Sequence, residues 1–303
     1  MDDQPCTLCG STEADELYPS TLDASGPRLE DFRCTSLGYG RHPSIVRCRS
    51  CGLVYALPRM SPSQIQEAYQ AAEDPDYVAE REGRVLTFHR NLAPVERWLG
   101  PRAPGRLLDV GCHVGVLLEV ARERGWEVWG VEPSRWAAER AQAKGLRVFC
   151  GTLREAGFPD AWFDAVTLWD VVEHLTDPQG ELEGVWRILK PEGIVAIHTM
   201  DIESPLARLL GPRWPWLMEM HLFYFSPRTL GRLIQELGFE VLEILHQGRY
   251  LRLGYLFSRL EPFVDGLSPA LVQLVKALGL APRPISVHLG DLFTLIARKP
   301  SRP

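Results

Sequence analysis

The sequence lacks several features that define whole classes of protein. No stretch of its 303 residues reaches the ~18 consecutive apolar residues of a membrane span. The first residues, Met1 to Cys6, include two aspartates and neither the basic start nor the apolar core of a secretory signal, so we expect a cytoplasmic protein. Basic residues are not in excess: 33 Lys and Arg stand against 39 Asp and Glu. A net charge of −6 disfavours a protein that chiefly binds nucleic acid.

The composition is that of a globular protein, with 45% hydrophobic and 24% charged residues. At ~100–200 residues per domain, the length suits one large domain and a smaller one. We expect the division to fall at residues 58 and 103.

The cysteines indicate what holds the smaller domain, residues 1–58, together. Four of the seven form two CxxCG units, Cys6 with Cys9 and Cys48 with Cys51. A two-residue gap lets both thiolates of a unit reach one ion, and zinc prefers four such ligands. The sequence therefore predicts a structural Zn²⁺ site, with Cys34 left over. A redox or disulfide role, or unpaired surface thiols, are the alternatives.

Residues 59–103 have the pattern of a helical connector. Ser61 followed by Pro62 predicts a helix start, and that helix should run to about Ala72. Apolar residues spaced by three, four and seven predict a second helix from Tyr77 to Leu99. Tyr69 and Tyr77 could face a ligand, although packing in the core is the more common role of such residues.

The segment after residue 104 begins with a strand, a glycine turn and a helix. A second strand follows and ends in Glu132. In such a unit ligands bind at the carboxyl ends of the strands. A carboxylate there accepts hydrogen bonds from the two hydroxyls of a ribose. The turn has Gly111 and Gly115 but lacks the spacing of a dinucleotide fingerprint.

The turn, Asp109-Val-Gly111-Cys-His113-Val-Gly115, resembles motif I (D-x-G-x-G-x-G) of class I S-adenosylmethionine (SAM)-dependent methyltransferases, with His113 at the middle glycine. Further similarities follow in family order: the 158–167 segment (FPDAWFDAVT), the Val171–Leu175 stretch (VVEHL) and the Lys190–Gly193 turn (KPEG). The resemblance covers residues 104–247. It implies an α/β fold: a Rossmann-like, seven-stranded, doubly wound sheet, here with a small zinc-ribbon-like domain in front.

The resemblance also implies which residues meet the cofactor SAM. These are Asp109, Gly111, His113, Gly115, Glu132, Thr152, Leu153 and Trp169. Thr152 stands where relatives usually carry an acidic residue for the adenine amino group.

SAM chemistry mainly needs positioning and a base that deprotonates the acceptor. His174 follows the fourth strand. His221 and Tyr224 lie in Met218–Pro227, which resembles the xEHLxxFS stretch over the substrate pocket of bacterial sugar methyltransferases with a zinc-binding domain. His174, His221 and Tyr224 are therefore the catalytic candidates, with a structural role open for His174.

The methyltransferase domain, residues 104–303, should contain a helical insertion at 250–284, with leucine-rich runs at 251–260 and 269–278. It could pack on the sheet edge, on a second copy of the chain, over the pocket as a lid, or against a membrane surface for a lipid-linked acceptor. The oligomeric state is open, with a homodimer among the alternatives.

These features together predict methyl transfer from SAM to a small-molecule acceptor, such as a nucleotide-linked sugar or another precursor of a polysaccharide or secondary metabolite. No nucleic-acid partner is expected. Two alternatives remain open: an RNA methyltransferase, and a non-catalytic binding protein with an altered cofactor loop.

Overall fold

The computed structural model describes residues 4–23, 32–260 and 267–301. Its amino-terminal part contains β1 (Ala14–Tyr18), β2 (Ser44–Cys48) and β3 (Val54–Leu57), followed by α1 (Pro62–Ala71), α2 (Pro75–Ala79) and α3 (Arg81–Leu99). Among the described residues, no helix is both long and apolar enough to cross a membrane.

Strands and helices then alternate along the chain. They are β4 (Arg106–Val110), α4 (Val116–Glu123), β5 (Glu127–Glu132), α5 (Arg135–Ala143), β6 (Val148–Cys150), α6 (Leu153–Ala156), β7 (Phe163–Trp169), α7 (Pro178–Ile188) and β8 (Leu189–Met200). The remaining elements are α8 (Pro205–Leu210), β9 (Phe223–Tyr224), α9 (Pro227–Glu236), β10 (Glu240–His246), β11 (Arg249–Arg252), α10 (Leu253–Ser258), α11 (Leu267–Ala277), β12 (Pro284–Val287) and β13 (Leu292–Arg298).

The central sheet has seven strands in the order β10-β13-β8-β7-β4-β5-β6. Strands β4 to β8 run parallel, and β13 lies antiparallel between β8 and β10. Ala165, Val166 and Leu168 of β7 are fully buried, as expected for a parallel strand covered on both faces. The arrangement confirms the predicted α/β, doubly wound fold with a small cysteine-bearing unit in front. The carboxyl ends of five parallel strands therefore meet at one edge.

The small sheet in front of the central one has the order β1-β2-β3-β9. Its fourth strand comes from far along the chain: Val54 pairs with Tyr224, and Tyr55 pairs with Phe223. Residues that follow the second CxxCG unit therefore hold the segment that carries His221 and Tyr224. The domain boundaries at residues 58 and 103 remain predictions.

The helical connector starts as predicted and then differs. Ser61 caps α1 in a capping box with Gln64. The stretch expected as one helix from Tyr77 is two helices, α2 and α3, which meet at Glu80. The Glu80 side chain is buried and forms an ion pair with Arg252. Helical periodicity gives no information on a partner that is so distant in the sequence.

The insertion at 250–284 is not purely helical, which corrects the prediction. Strands β11 and β12 pair antiparallel at its two ends, so the first helix begins at Leu253 rather than at Leu251. Leucine spacing indicates a helix but carries no information on a strand partner about thirty residues away. Residues 261–266 of the insertion lie outside the described residues.

The insertion packs against two elements near the sheet edge. Strand β11 lies so close to α3 that a Cβ on Gly83 would stand 2.5 Å from the carbonyl oxygen of Tyr250. Arg259, just after α10, donates hydrogen bonds to the carbonyl oxygens of Thr35 and Ser36. The insertion therefore connects α3 with the segment between the two CxxCG units.

Candidate functional site

The loop after β4 has the backbone shape that its sequence motif requires. Gly111, His113 and Gly115 all have positive φ, at 71°, 49° and 77°. The N–H groups of Gly111 and Cys112 both donate to the carbonyl oxygen of Val131 on β5, at 2.8 and 3.1 Å. A Cβ on Gly111 would meet a methyl carbon of Val171 at 2.6 Å, so only glycine fits there. His113 takes up a left-handed conformation in the position of the motif's middle glycine.

Two buried carboxylates, Asp109 and Glu132, lie at the ends of β4 and β5. Asp109 accepts a hydrogen bond from Thr167 Oγ1 at 2.7 Å, and burial raises its pKa to about 8. Glu132 accepts hydrogen bonds from the N–H groups of His113 at 2.7 Å and Ser134 at 2.8 Å. Burial raises the pKa of Glu132 to about 7, against the opposing effect of these two hydrogen bonds. Each oxygen of Glu132 retains a lone pair for a further donor.

The side chain of His113 belongs to a stack of rings. It lies 3.7 Å from the ring of Tyr77, centroid to centroid, and meets Trp136 edge-on. Its Nδ1 atom is buried without a hydrogen-bond partner. Burial and the nearby charge of Arg84 lower its pKa to about 3. The imidazole is therefore neutral and carries an unused polar atom.

The remaining cofactor candidates occupy different settings. Thr152 caps α6 in a capping box with Glu155, and the Leu153 side chain is buried. The Nε1 atom of Trp169 is buried without a partner. Beside Thr152 lies a cleft of about 360 Å³, lined by Glu67, Gln70, Ala71, Pro133, Arg135, Cys150 and Gly151. This cleft adjoins the ends of β5 and β6.

His174 and His221, two of the catalytic candidates, face each other. Their ring centroids are 4.8 Å apart. His174 Nδ1 is 3.0 Å from the carbonyl oxygen of Met220, and His221 Nδ1 is 2.7 Å from that of Trp216. Since a carbonyl oxygen only accepts, both Nδ1 atoms carry the proton and both Nε2 atoms are left as acceptors. Burial lowers the pKa of both, and the neighbouring His174 helps to bring that of His221 to about 3.

The surroundings of the histidine pair include a buried carboxyl group, that of Glu173. One ligand atom each of Glu173, His174 and His221 lies within 4.8 Å of the other two, a spacing at which they could hold a metal ion. Glu173 Oε2 is buried without a partner, and burial raises the pKa of Glu173 to about 8. Glu219 forms an ion pair with Arg41 at 3.0 Å. Tyr224, the third candidate, donates to the carbonyl oxygen of Met218 at 3.2 Å.

The four cysteines of the CxxCG units form one cluster, with all four sulfurs within 4.8 Å of one another. The Sγ atoms of Cys6 and Cys51 are 3.5 Å apart, as are those of Cys9 and Cys48. Four thiolates at ~2.3 Å from one ion form a tetrahedron with edges of about 3.8 Å, whereas a disulfide requires about 2.05 Å. The cluster therefore has the dimensions of a zinc site.

Comparison with known proteins agrees with this geometry. The profile of the family described as "Methyltransferase domain" matches residues 77–244, which is more than half of the chain. The chain belongs to the methyltransferase-domain family. Strands β4 to β8 and both histidines of the pair fall within the matched region.

Curated relatives of this methyltransferase domain include two bacterial enzymes named ubiquinone biosynthesis O-methyltransferase. The protein from Alkalilimnicola ehrlichii is 34% identical over 129 residues, 40% of this chain and 52% of the relative. That from Thiobacillus denitrificans is 28% identical over 165 residues, 49% of this chain and 71% of the relative. The chain thus spans about half the length of the first. A solved SAM-dependent methyltransferase from Archaeoglobus fulgidus is 20% identical, with a TM-score of 0.49, and the match covers 75% of this chain and all of the other.

Sequence reasoning missed several polar residues at this edge of the methyltransferase domain. Cys34 is exposed, and its sulfur lies within 4.8 Å of one ligand atom each of Asp74 and His113. Arg84 lies over the ring of Tyr77 at 3.4 Å. Asp170 pairs with Arg249 at 3.1 Å. We call this region the polar recess, defined by Cys34, Tyr77, Arg84, Asp170, Arg249 and Tyr255. Only Asp170, directly after the fourth parallel strand, had a position in the sequence that signals a site.

Proposed function

We propose that this protein is a SAM-dependent methyltransferase that transfers a methyl group to an oxygen of a small-molecule acceptor. The observation that carries the proposal is that one sheet edge brings together the motif I loop, Glu132 and the His174–His221 pair. The names of the curated relatives support an oxygen acceptor. They give no support to the nucleotide-linked sugar that the sequence led us to expect, so an acceptor like those of ubiquinone biosynthesis is the better starting point.

The residues of the edge fit the proposed cofactor. Glu132 has lone pairs left for the ribose hydroxyls, and the cleft beside Cys150 and Gly151 lies where an adenine would follow the ribose. Trp169 Nε1 and His113 Nδ1 are buried polar atoms in need of a partner. When bound, SAM supplies a methyl group already activated by its sulfonium.

The histidine pair accounts for the proton that an acceptor hydroxyl must lose. Both Nε2 atoms are acceptors, and the charge of Asp170 stabilises a proton taken by His174. We assign the base to His174, because burial alone lowers its pKa, against the opposing effects of the Met220 carbonyl and Asp170. For His221, the neighbouring His174 adds to the effect of burial and brings the pKa to about 3. His221 then orients His174 and the acceptor.

We also propose that Cys6, Cys9, Cys48 and Cys51 hold a structural Zn²⁺ ion. The sulfur distances and the two CxxCG knuckles support it. Gly52, the glycine of the second CxxCG unit, has a φ of 79°. A Cβ at this position would lie 2.6 Å from Nη2 of Arg228. Metal analysis of gently purified protein should return one zinc per chain, and a value well below one would refute the site.

Binding of the cofactor is tested by calorimetry with S-adenosylhomocysteine and SAM on zinc-loaded protein. We expect a saturable exotherm that D109A and E132A abolish. The absence of heat from the wild type would refute the proposed function.

The assignment of the base is tested by transfer of a labelled methyl group to a panel of hydroxylated acceptors. H174Q should lower kcat by about 10²–10⁴-fold, the usual contribution of a general base, while the affinity for S-adenosylhomocysteine stays the same. Full turnover by H174Q would show that His174 is not the general base.

Two other functions remain testable. Retention on heparin at ~0.2 M salt would favour an RNA methyltransferase, against which the net charge of −6 speaks. The non-catalytic alternative rests on His113. If H113G gained affinity for SAM and still transferred no methyl group to any acceptor, a binding role would be favoured.

A further inference from the structure

Arg84 is a half-buried cation in α3 with one unsatisfied donor. Its Nε atom is inaccessible to solvent and has no hydrogen-bond partner, and no ion pair involves Arg84 in the part of the chain that the structure describes. It is the fourth residue of α3, near the positive end of that helix, where a cation is unfavourable and an anion is stabilised. A charged donor that is left unsatisfied in a protein interior is costly. A negatively charged ligand that accepts from this donor would therefore be stabilised.

The acidic side chains around Arg84 have other partners. Glu80 pairs with Arg252 at 2.6 Å, and Asp170 pairs with Arg249 at 3.1 Å. Asp74 accepts from the N–H groups of Thr35 at 2.9 Å and Tyr77 at 3.0 Å. Each of these carboxylates has a partner other than Arg84, although the charge of Arg84, after that of Arg249, also favours the ionised form of Asp170.

The ring of Tyr77 separates Arg84 from the motif I loop. Arg84 lies 3.4 Å from the centroid of this ring and the His113 ring lies 3.7 Å from it. Two groups so close to one centroid must cover opposite faces. Arg84 is therefore on the side of this ring away from the loop, where its charge opposes the rise that burial causes in the pKa of Tyr255 on α10. Cys34, in contrast, lies within 4.8 Å of His113 and Asp74.

We propose that Arg84 is the anion-binding residue of the acceptor pocket, and that the methyl acceptor carries a carboxylate or phosphate group. This rests on the proposed function. The guanidinium, which lies over the ring of Tyr77, presents its N–H donors in the planar fork that carboxylates and phosphates fit. Arg259 adds positive charge nearby, whereas Arg249 is neutralised by Asp170.

The test measures binding of inorganic phosphate and of benzoate by calorimetry, with and without saturating S-adenosylhomocysteine. The variants are R84Q, R84K and the control R97Q, which removes an exposed arginine at the other end of α3. We expect wild type and R97Q to bind at least one of these anions, R84Q to bind it at least about tenfold more weakly, and R84K to lie between. If R84Q does not fold, R84K decides: a several-fold loss supports the site and wild-type affinity overturns it.

A second comparison separates acceptor from cofactor. S-adenosylhomocysteine carries a carboxylate, and 5′-methylthioadenosine lacks it. If R84Q weakens binding of the first but not of the second, Arg84 serves the cofactor and the proposal is overturned; equal affinity of wild type and R84Q for both nucleosides supports it. Equal anion binding by wild type and R84Q also overturns it. Failure of the proposed function would be visible separately, as wild-type protein that binds neither nucleoside.

Discussion

At the scale of single residues, the edge of the sheet is notable for carboxyl groups whose pKa values are raised. Asp109, Glu132 and Glu173 are all buried, and burial brings their pKa values to about 8, 7 and 8. A carboxyl with a raised pKa contributes stability at low pH, which is lost as the pH rises through the folded pKa. A ligand that donates hydrogen bonds to the ionised form offsets that loss. Raised pKa values at a cleft are typical of functional sites.

The pKa of Glu132 leads to a prediction for cofactor binding. Below pH 7 this carboxyl is largely protonated and one of its oxygens becomes a donor, whereas the ionised form accepts from both ribose hydroxyls. We therefore expect the affinity for S-adenosylhomocysteine to rise by about tenfold between pH 6 and pH 8. Calorimetry at three pH values measures it.

The controls for this prediction are E132Q and D109N. E132Q should bind S-adenosylhomocysteine weakly, and its affinity should lose the part of the pH dependence that comes from the titration of Glu132. D109N should keep that part, since Glu132 is intact. An unchanged pH profile in E132Q would show that another group is responsible.

At the scale of elements, the contact between α3 and β11 positions the insertion. Gly83 lies in α3 and has an ordinary helical φ. Glycine matters at this position because it has no side chain, and not because of its backbone freedom. A Cβ would stand 2.5 Å from the carbonyl oxygen of Tyr250 and 3.1 Å from its carbonyl carbon. Backbone atoms cannot move aside alone, so the whole of β11 would have to shift.

Two glycine-to-alanine substitutions test this contact. G83A should lower the free energy of unfolding by about 1–3 kcal/mol through overpacking. G184A, in the interior of α7, meets only Leu153 Cδ2 at 3.5 Å and should gain up to ~1 kcal/mol of helix propensity. Urea unfolding compares them. If G83A proved as stable as G184A, the packing of β11 on α3 would be in doubt.

At the scale of the whole molecule, the small sheet joins parts of the chain that are far apart. Strand β3 follows the second CxxCG unit and pairs with β9, two residues after His221. Arg228 at the start of α9 donates to the carbonyl oxygen of Cys51 at 3.0 Å. The cysteine cluster is therefore connected both to the segment that carries His221 and to α9.

These connections predict the consequences of zinc removal. Chelation should speed hydrogen–deuterium exchange in β1, β2, β3 and β9, because an ion-held knuckle anchors them. Strands β4 to β8 should stay protected, and the affinity for S-adenosylhomocysteine should change by less than about threefold. C48S should reproduce the effect and C34S should not. Unchanged exchange in β9 after chelation would contradict the coupling.

Features that depend on local pattern could be read from the sequence. Asp109 and Gly111 are recognised because the turn needs positive φ and the strand before it is buried. The spacing of the cysteines predicted that four thiols lie together, and Ser61 predicted the start of a helix. The seven strands of the large sheet were implied by the resemblance of the motif I turn and the segments after it to a known family. In each case, the physical cause lies within a few neighbouring residues.

What only the tertiary structure decided concerns contacts between distant segments. The pairing of β3 with β9, the strands at the ends of the insertion and the stack of Arg84, Tyr77 and His113 all join residues whose sequence separation hides them. The same holds for the site: the sequence indicated His174 and His221, but their closeness and the carbonyl groups that orient their rings, those of Met220 and Trp216, are seen only in the structure. The sequence determined the fold, and the sheet edge where the parallel strands end, because both depend on patterns among neighbouring residues. The polar recess depends on contacts between charged residues that are far apart in the sequence, so only the tertiary structure shows it.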